Sequence, residues 1–273
     1  MADTTQVMGI IAGNRSLPLL FAREARAAGI QRLVAIAFDG ETDPALGALV
    51  DDIVWLKVGQ LNKMIDAFHT RGVTRTVMLG QVTPKSIFDV RPDLRAMALL
   101  LKIKEKNAHT IFGALANELS KEGVELTDPR PWLKPIMPGL GFLLGPRLDE
   151  EQTEDVAFGY RMAKEISRLE IGQSVVVKKG VVLAVEGFEG TDGCLRRGGE
   201  LAGKDRGAVA VKVAKEKHDV RFDIPCIGVR TLEICRDGGL SVLAFEQGMT
   251  LVLDREQVEK MARQHKISVV SVG

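Results

Sequence analysis

Two acidic clusters stand out for the chemistry their residues could do. In the segment KVAKEKHDVRFDIP, Asp219, Arg221 and Asp223 alternate. Side chains of an extended strand repeat every two residues, so these three are expected to share one face. The segment VEGFEGTDGCLRR carries Glu186, Glu189 and Asp192 at the end of a predicted strand and the start of a predicted helix, which Thr191 can cap. Carboxylate oxygens suit a hard cation such as Mg²⁺, which takes one or two of them and leaves other positions to substrate phosphates. Arginine and lysine neutralise phosphate oxygens, and Arg221 and Lys212 supply that charge here. Spacing alone supports a second reading equally well: solvated loops carrying ordinary surface ion pairs.

A third group of residues sits in turns. Gly13-Asn14, Asp39-Gly40, Gly59-Gln60 and Gly80-Gln81 each follow a predicted strand of the first half. In an open α/β sheet, ligands bind outside the carboxyl ends of the strands. Glycine lets backbone N–H groups approach a ligand, and the helix after Ser16 offers a partly positive amino terminus. The plainer account is that a turn there needs glycine whether or not anything binds. Gly9-x-x-x-Gly13 is not the dinucleotide fingerprint, which weakens a nicotinamide reading. His69, His109, His218 and His265 are scattered, and His218, beside Asp219, reads as a surface histidine. No G-x-S-x-G, Walker A or C-x-x-C is present, so serine hydrolase, P-loop and thiol redox chemistry lose their main supports.

The elements that position these residues fall into two halves. Apolar runs at Val7–Ala12, Leu33–Ala37, Ile53–Val58 and Thr76–Leu79 read as strands buried on both faces. Helical patterns separate or follow them: Ser16 to Ala28, Leu61 to His69, Asp93 to Glu105 and Thr110 to Lys121. This predicts a Rossmann-like parallel-sheet domain over residues 1–130. Residues 131–146 hold Pro131, Pro135, Pro138 and Pro146 with interleaved glycines and read as a linker without helix or strand. That linker is apolar (Trp132, Ile136, Met137, Leu140, Phe142), which suits packing on a domain surface or lining a groove. Residues 147–273 read as a mixed α+β domain. It holds a helix from Glu151 to Arg168, a hairpin in SVVVKKGVVLAVE and a half-buried strand at Val209–Val213. Further strands are predicted at Cys226–Val229, Ser241–Phe245 and Thr250–Leu253, then a helix at Arg255–Gln264 and a strand at Ile267–Val272.

Composition narrows the function classes. Of 273 residues, 45% are hydrophobic and 27% charged, as in an ordinary folded protein. The net charge of +1 and 5% aromatic content argue against a nucleic-acid partner. Cys194, Cys226 and Cys235 are odd in number and unclustered, which fits a reducing compartment. The amino terminus has no basic run and no apolar stretch reaches the ~18 residues of a membrane span, so a soluble cytoplasmic protein is expected.

Several longer motifs carry a resemblance. GIIAGNRSLPLL, LGQVTPKSIFDVRPDLRA, EIGQSVVVKKGVVLAVEGFEGTDGCLRR, VKVAKEKHDVRFDIPCIGVRTLE and FEQGMTLVLDREQV resemble the LpxI-type UDP-2,3-diacylglucosamine pyrophosphatases of lipid A biosynthesis. The resemblance runs from Gly9 to the carboxyl terminus. It implies Mg²⁺-dependent hydrolysis (Mn²⁺ also serving) of the pyrophosphate of an acylated UDP-glucosamine, with attack at the sugar-side phosphorus. The products would be 2,3-diacylglucosamine 1-phosphate and UMP. It further implies that Asp223 and Asp219 hold the metal or orient water, with Glu189 and Asp192 as supporting ligands. Lys212, Lys215, Arg196 and Arg221 would face the phosphates, and Ala12, Gly13, Asn14, Gly59, Gly80, Gln81 and Thr191 would contact the substrate. A diacylated substrate implies transient contact with the cytoplasmic face of the inner membrane; the resemblance leaves a homodimer open. Three positions depart from the family pattern. Asn14-Arg15 replaces the second glycine of AGxG, Asn107-Ala108-His109 replaces a Gly-Asp-Asp element, and His218 replaces a glutamine. A non-catalytic nucleotide-sugar sensor and a nicotinamide-dependent oxidoreductase are the rival readings.

Overall fold

The computed structural model describes residues 7–82, 92–103, 108–215 and 219–273, the side chains at 108 and 109 excepted. His218, the His109 side chain, the middle of LGQVTPKSIFDVRPDLRA and most of the Asn107-Ala108-His109 element lie outside them. The chain divides into two units. One comprises Met1–Leu133 together with Asp219–Asp223; the other comprises Lys134–His218 and Ile224–Gly273.

In the first unit, β1 (Val7–Ala12), β2 (Arg32–Phe38), β3 (Asp52–Leu56), β4 (Arg75–Leu79) and β5 (Glu125–Leu126) form a wholly parallel sheet in the order β3-β2-β1-β4-β5. This is a doubly wound order, and the apolar runs of β1 and β2 follow from burial on both faces. The helices are α1 (Leu17–Ala27), α2 (Leu61–Thr70), α3 (Leu94–Lys102) and α4 (Ala108–Lys121). Pro18 is tolerated in the first turn of α1, as expected, but the Ser16 hydroxyl makes no capping bond. Asp93 does cap α3, accepting from the Ala96 N–H at 2.9 Å. Ile11, Ile36, Leu61, Phe68 and Leu119 are central to the core.

The Pro-rich segment departs from its expected lack of structure. α5 (Arg130–Leu133) starts there because Asp128 accepts from the Arg130 N–H and Pro131 occupies an early helical position, where its missing donor costs nothing. Trp132 and Leu133 are buried, and the Trp132 ring meets Phe21 edge-on at 6.0 Å. Further on, β6 (Leu143–Leu144) fits between Pro138 and Pro146 and pairs antiparallel with Val269 and Val270. Phe142 packs on Phe245 at 5.8 Å. Trp132 is therefore a core residue of the first unit, and Phe142, partly buried, packs against the core of the second.

The second unit is built on α6 (Glu150–Arg168), β7 (Ser174–Lys178), β8 (Val181–Val185), α7 (Gly190–Leu201), β9 (Ala208–Lys212), β10 (Cys226–Ile227), α8 (Val229–Gly238), β11 (Leu240–Glu246), β12 (Leu251–Val252), α9 (Arg255–His265) and β13 (Ser268–Val272). Six strands make a mixed sheet in the order β6-β13-β11-β9-β7-β8, while β10 and β12 form a separate parallel pair. β9 is buried on both faces rather than half-buried, because it is an interior strand with one apolar cluster on each side. The β7–β8 hairpin turns at Lys179-Gly180, both with positive φ (52° and 72°), and the Asp155 carboxylate accepts both of their N–H groups. Helix α8 is absent from the sequence reading, which extends a strand through Val229; the strand ends at Ile227 and Gly228 begins the helix.

Candidate active site

The turns at the carboxyl ends of β1 and β4 hold each other. The Gly13 N–H donates to Leu79 O at 2.8 Å and the Asn14 N–H to Gln81 O at 2.7 Å. A Cβ on Gly13 would lie 2.5 Å from Gln81 O, and one on Gly80 2.5 Å from Asn14 O. The glycines at 13 and 80 are required by this loop-to-loop approach, and the Gly13 and Asn14 amides are taken up by it. The Asn14 amide donates to Glu41, and Thr42 donates to Ala12 O. Gly59 turns the chain into α2 with φ 92° and accepts from the Asp93 N–H. Arg15 adopts φ 68°, a left-handed conformation that glycine takes freely and arginine does not.

Asp219, Arg221 and Asp223 do not lie along an extended strand. The N–H groups of Phe222 and Asp223 both donate to Asp219 O, closing a helical turn. The cause is local: the Asp219 carboxylate accepts from the Arg221 N–H at 3.1 Å, drawing the chain round as an Asx turn does. The same carboxylate grips the Arg221 guanidinium at 2.9 Å from Nε and 2.6 Å from Nη2. That pairing pushes the Arg221 pKa further up. Phe222 packs at a 49° tilt against Phe112 of α4 with centroids 5.6 Å apart, and the turn belongs to the first unit.

In the second unit, one end of strands β7, β9 and β13 carries the polar residues Ser174, Lys212 and Ser271. Ser174 opposes Lys212, Lys212 opposes Phe245, and Phe245 opposes Ser271. Glu186 follows β8, its N–H donating to Ser174 O. Thr191 lies inside α7 rather than at its cap, because the helix begins one residue earlier, at Gly190. Its hydroxyl donates to the buried Glu186 carboxylate at 3.0 Å and lies 3.2 Å from Ser174 Oγ. Lys212 Nζ donates to Cys226 O at 3.3 Å, while Arg196 and Lys215 are exposed. Burial pushes the Cys194 and Cys235 thiols up to about 12, so they are inert in the native fold.

Three of the four carboxylates named as metal ligands, Glu189, Asp192 and Asp219, have arginine partners. Arg197 pairs with Glu189, Arg230 with Asp192 at 2.9 Å, and Arg221 with Asp219. Hydrogen bonding from Arg197 holds the Glu189 carboxyl below its usual range. Among the described residues, no three carboxylate, histidine or cysteine side chains form a ready cation cage. The donor chemistry still suits an Mg²⁺ that takes most of its ligands from water and phosphate.

Fold and site define a two-unit α/β protein, with one doubly wound parallel sheet and one mixed sheet bearing polar residues across one end of its strands. Residues 7–136 match the LpxI N-terminal domain and residues 140–270 the LpxI C-terminal domain. UDP-2,3-diacylglucosamine pyrophosphatase LpxI of Caulobacter vibrioides is 32% identical over 264 residues, covering 92% of each chain. The chain belongs to the LpxI family. Among solved structures, two biotin carboxylase domains of 2-oxoglutarate carboxylases, the second from Hydrogenobacter thermophilus, give TM-scores of 0.25 and 0.27 at 15% and 14% identity. They cover 67% and 71% of this chain, which spans only 36% and 41% of theirs, and likeness at that level carries no argument.

Proposed function

We propose that this chain hydrolyses the pyrophosphate bond of UDP-2,3-diacylglucosamine, releasing 2,3-diacylglucosamine 1-phosphate and UMP. The observation that carries the reading is family membership along nearly the whole chain, with a relative named for this activity. Asp223 is the carboxylate proposed to hold the metal or orient the attacking water. Arg221, its guanidinium fixed by Asp219, stabilises the charge that develops on the phosphate oxygens. Mg²⁺, when bound by Asp223 and the diphosphate, supplies neutralisation of phosphate charge. The glycine turns of the first sheet offer shape to the nucleotide rather than free amides. The acyl chains imply a transient encounter with a membrane surface, and no described helix is long and apolar enough to cross one.

The test is incubation with UDP-2,3-diacylglucosamine, with and without Mg²⁺, followed by quantification of UMP. Wild-type protein should release UMP only with the metal, and Asp223→Ala should lose turnover while keeping substrate affinity. Undiminished turnover in Asp223→Ala, or after exhaustive chelation, overturns the respective assignment. Binding without any UMP release would mark a nucleotide-sugar sensor instead.

A further inference from the structure

The Asp219–Asp223 turn belongs to the first unit. The bonds from the Phe222 and Asp223 N–H groups to Asp219 O, and from the Arg221 N–H to the Asp219 carboxylate, shape the turn. They do not attach it to the rest of the unit. Side chains do that, and α4 receives them. Phe112, Ala116 and Ser120 follow one another at intervals of four residues, so they line one face of the helix. At one end of that face Phe112 meets Phe222, with ring centroids 5.6 Å apart, a separation at which aromatic pairs attract. Further along, Ala116 and Ser120 share with Arg221 the lining of a cleft of about 470 Å³. Asp219 raises the Arg221 pKa most, and Glu125 of β5, which lines the same cleft, adds to it. The inner side of α4 is occupied otherwise: Leu119 is wholly buried in the core, and Leu115 packs against that core. The face that carries Phe112 is thus given over to the turn, bulky where it meets a ring and small where the Arg221 side chain lies.

We propose that Phe112 is a positioning residue for the Asp219–Asp223 turn, its ring seating Phe222 and so fixing where Arg221 and Asp223 are held on the first unit. The inference rests on the hydrolytic reading above. Phe112 touches no reacting atom in this role. Its chemistry suits the task, because an aromatic pair has preferred geometries whereas aliphatic burial is non-directional. Arg221 and Asp223 flank Phe222 directly, so a shift of that ring reaches each of them through a single peptide unit. A ring serving stability alone would lower the unfolding midpoint and leave the turnover of folded protein untouched. A ring that seats the turn changes turnover, because misplacement of a reacting group by 1 Å costs about a hundredfold.

The experiment compares Phe112→Ala, Phe112→Leu, Phe222→Ala and the Phe112→Ala/Phe222→Ala double variant by UMP release, circular dichroism and amide hydrogen exchange at Phe222 and Asp223. Phe112→Ala should lower kcat by about ten- to a hundredfold with KM little changed. Phe112→Leu keeps apolar bulk without the ring and should recover part of the loss. The double variant should be no slower than the slower single variant, because both substitutions remove the same contact. Exchange at Phe222 and Asp223 should quicken in Phe112→Ala. If Phe112→Ala does not fold, Phe112→Leu decides on the same readouts. Wild-type kcat in folded Phe112→Ala overturns the inference, as do losses that multiply in the double variant or unchanged exchange at the turn. A raised KM with kcat intact overturns it too, since Phe112 would then be a wall of the substrate site. Failure of the hydrolytic reading looks different: wild-type protein then releases no UMP at all, while exchange still reports whether Phe112 seats the turn.

Discussion

Gly198 sits where α7 crosses β7, and replacing it with alanine tests how tightly the EGTD helix is held. A Cβ at this position would lie 2.4 Å from Val176 Cβ and 2.5 and 2.7 Å from the two valine methyls. Carbon atoms in good contact sit about 3.5–4.0 Å apart, so helix or strand must yield by roughly 1 Å. Rotating the valine gives no relief, because its Cβ is attached directly to a backbone that is paired on both sides. Overpacking of this kind costs about 1–3 kcal/mol. Alanine recovers up to about 1 kcal/mol in helix propensity. The expected net loss is then about 1–2 kcal/mol, read as a fall of several degrees in the thermal midpoint by circular dichroism. Gly113→Ala is the control: Gly113 lies on α4 with open space around it, and alanine there should gain up to about 1 kcal/mol. Thr191, Asp192 and Arg196 ride on α7, so Gly198→Ala should lower UMP release as well. A Gly198→Ala protein as stable as wild type, alongside a stabilised Gly113→Ala, would refute the close approach of α7 to β7.

Two further substitutions probe one motif departure, Arg15, and one intact motif residue, Asp219. Arg15→Gly should stabilise the protein by about 0.5–1 kcal/mol: relief of a left-handed arginine is worth roughly 1–2 kcal/mol, less glycine's extra unfolded-state entropy. A urea midpoint at or below that of wild type would contradict it. Asp219→Asn should lower turnover by about tenfold through loss of a charge-assisted grip, a figure held down because the Arg221 side chain is 38% exposed. The Mg²⁺ concentration for half-maximal activity should stay unchanged, and a large rise would return Asp219 to the metal ligands.

Long apolar runs made the first sheet legible, since strands buried on both faces need no alternation to be recognised. β5 and β6 escaped because two residues carry no period, and their pairing is decided by neighbours remote in sequence, whereas β10 and β12 fall within the predicted strands Cys226–Val229 and Thr250–Leu253 but are shorter. α8 escaped because the apolar run Cys226–Val229 crosses its boundary, although Gly228 and Gly239 bracket it. Prolines at 131, 138 and 146 read as a segment without helix or strand, yet one lies in the first turn of a short helix and two flank an edge strand. At the site, residue types pointed to phosphate chemistry while contacts redistributed the roles. Alternation of Asp219, Arg221 and Asp223 is equally consistent with a strand and with an Asx turn, and only the bond from the Arg221 amide to Asp219 separates the two.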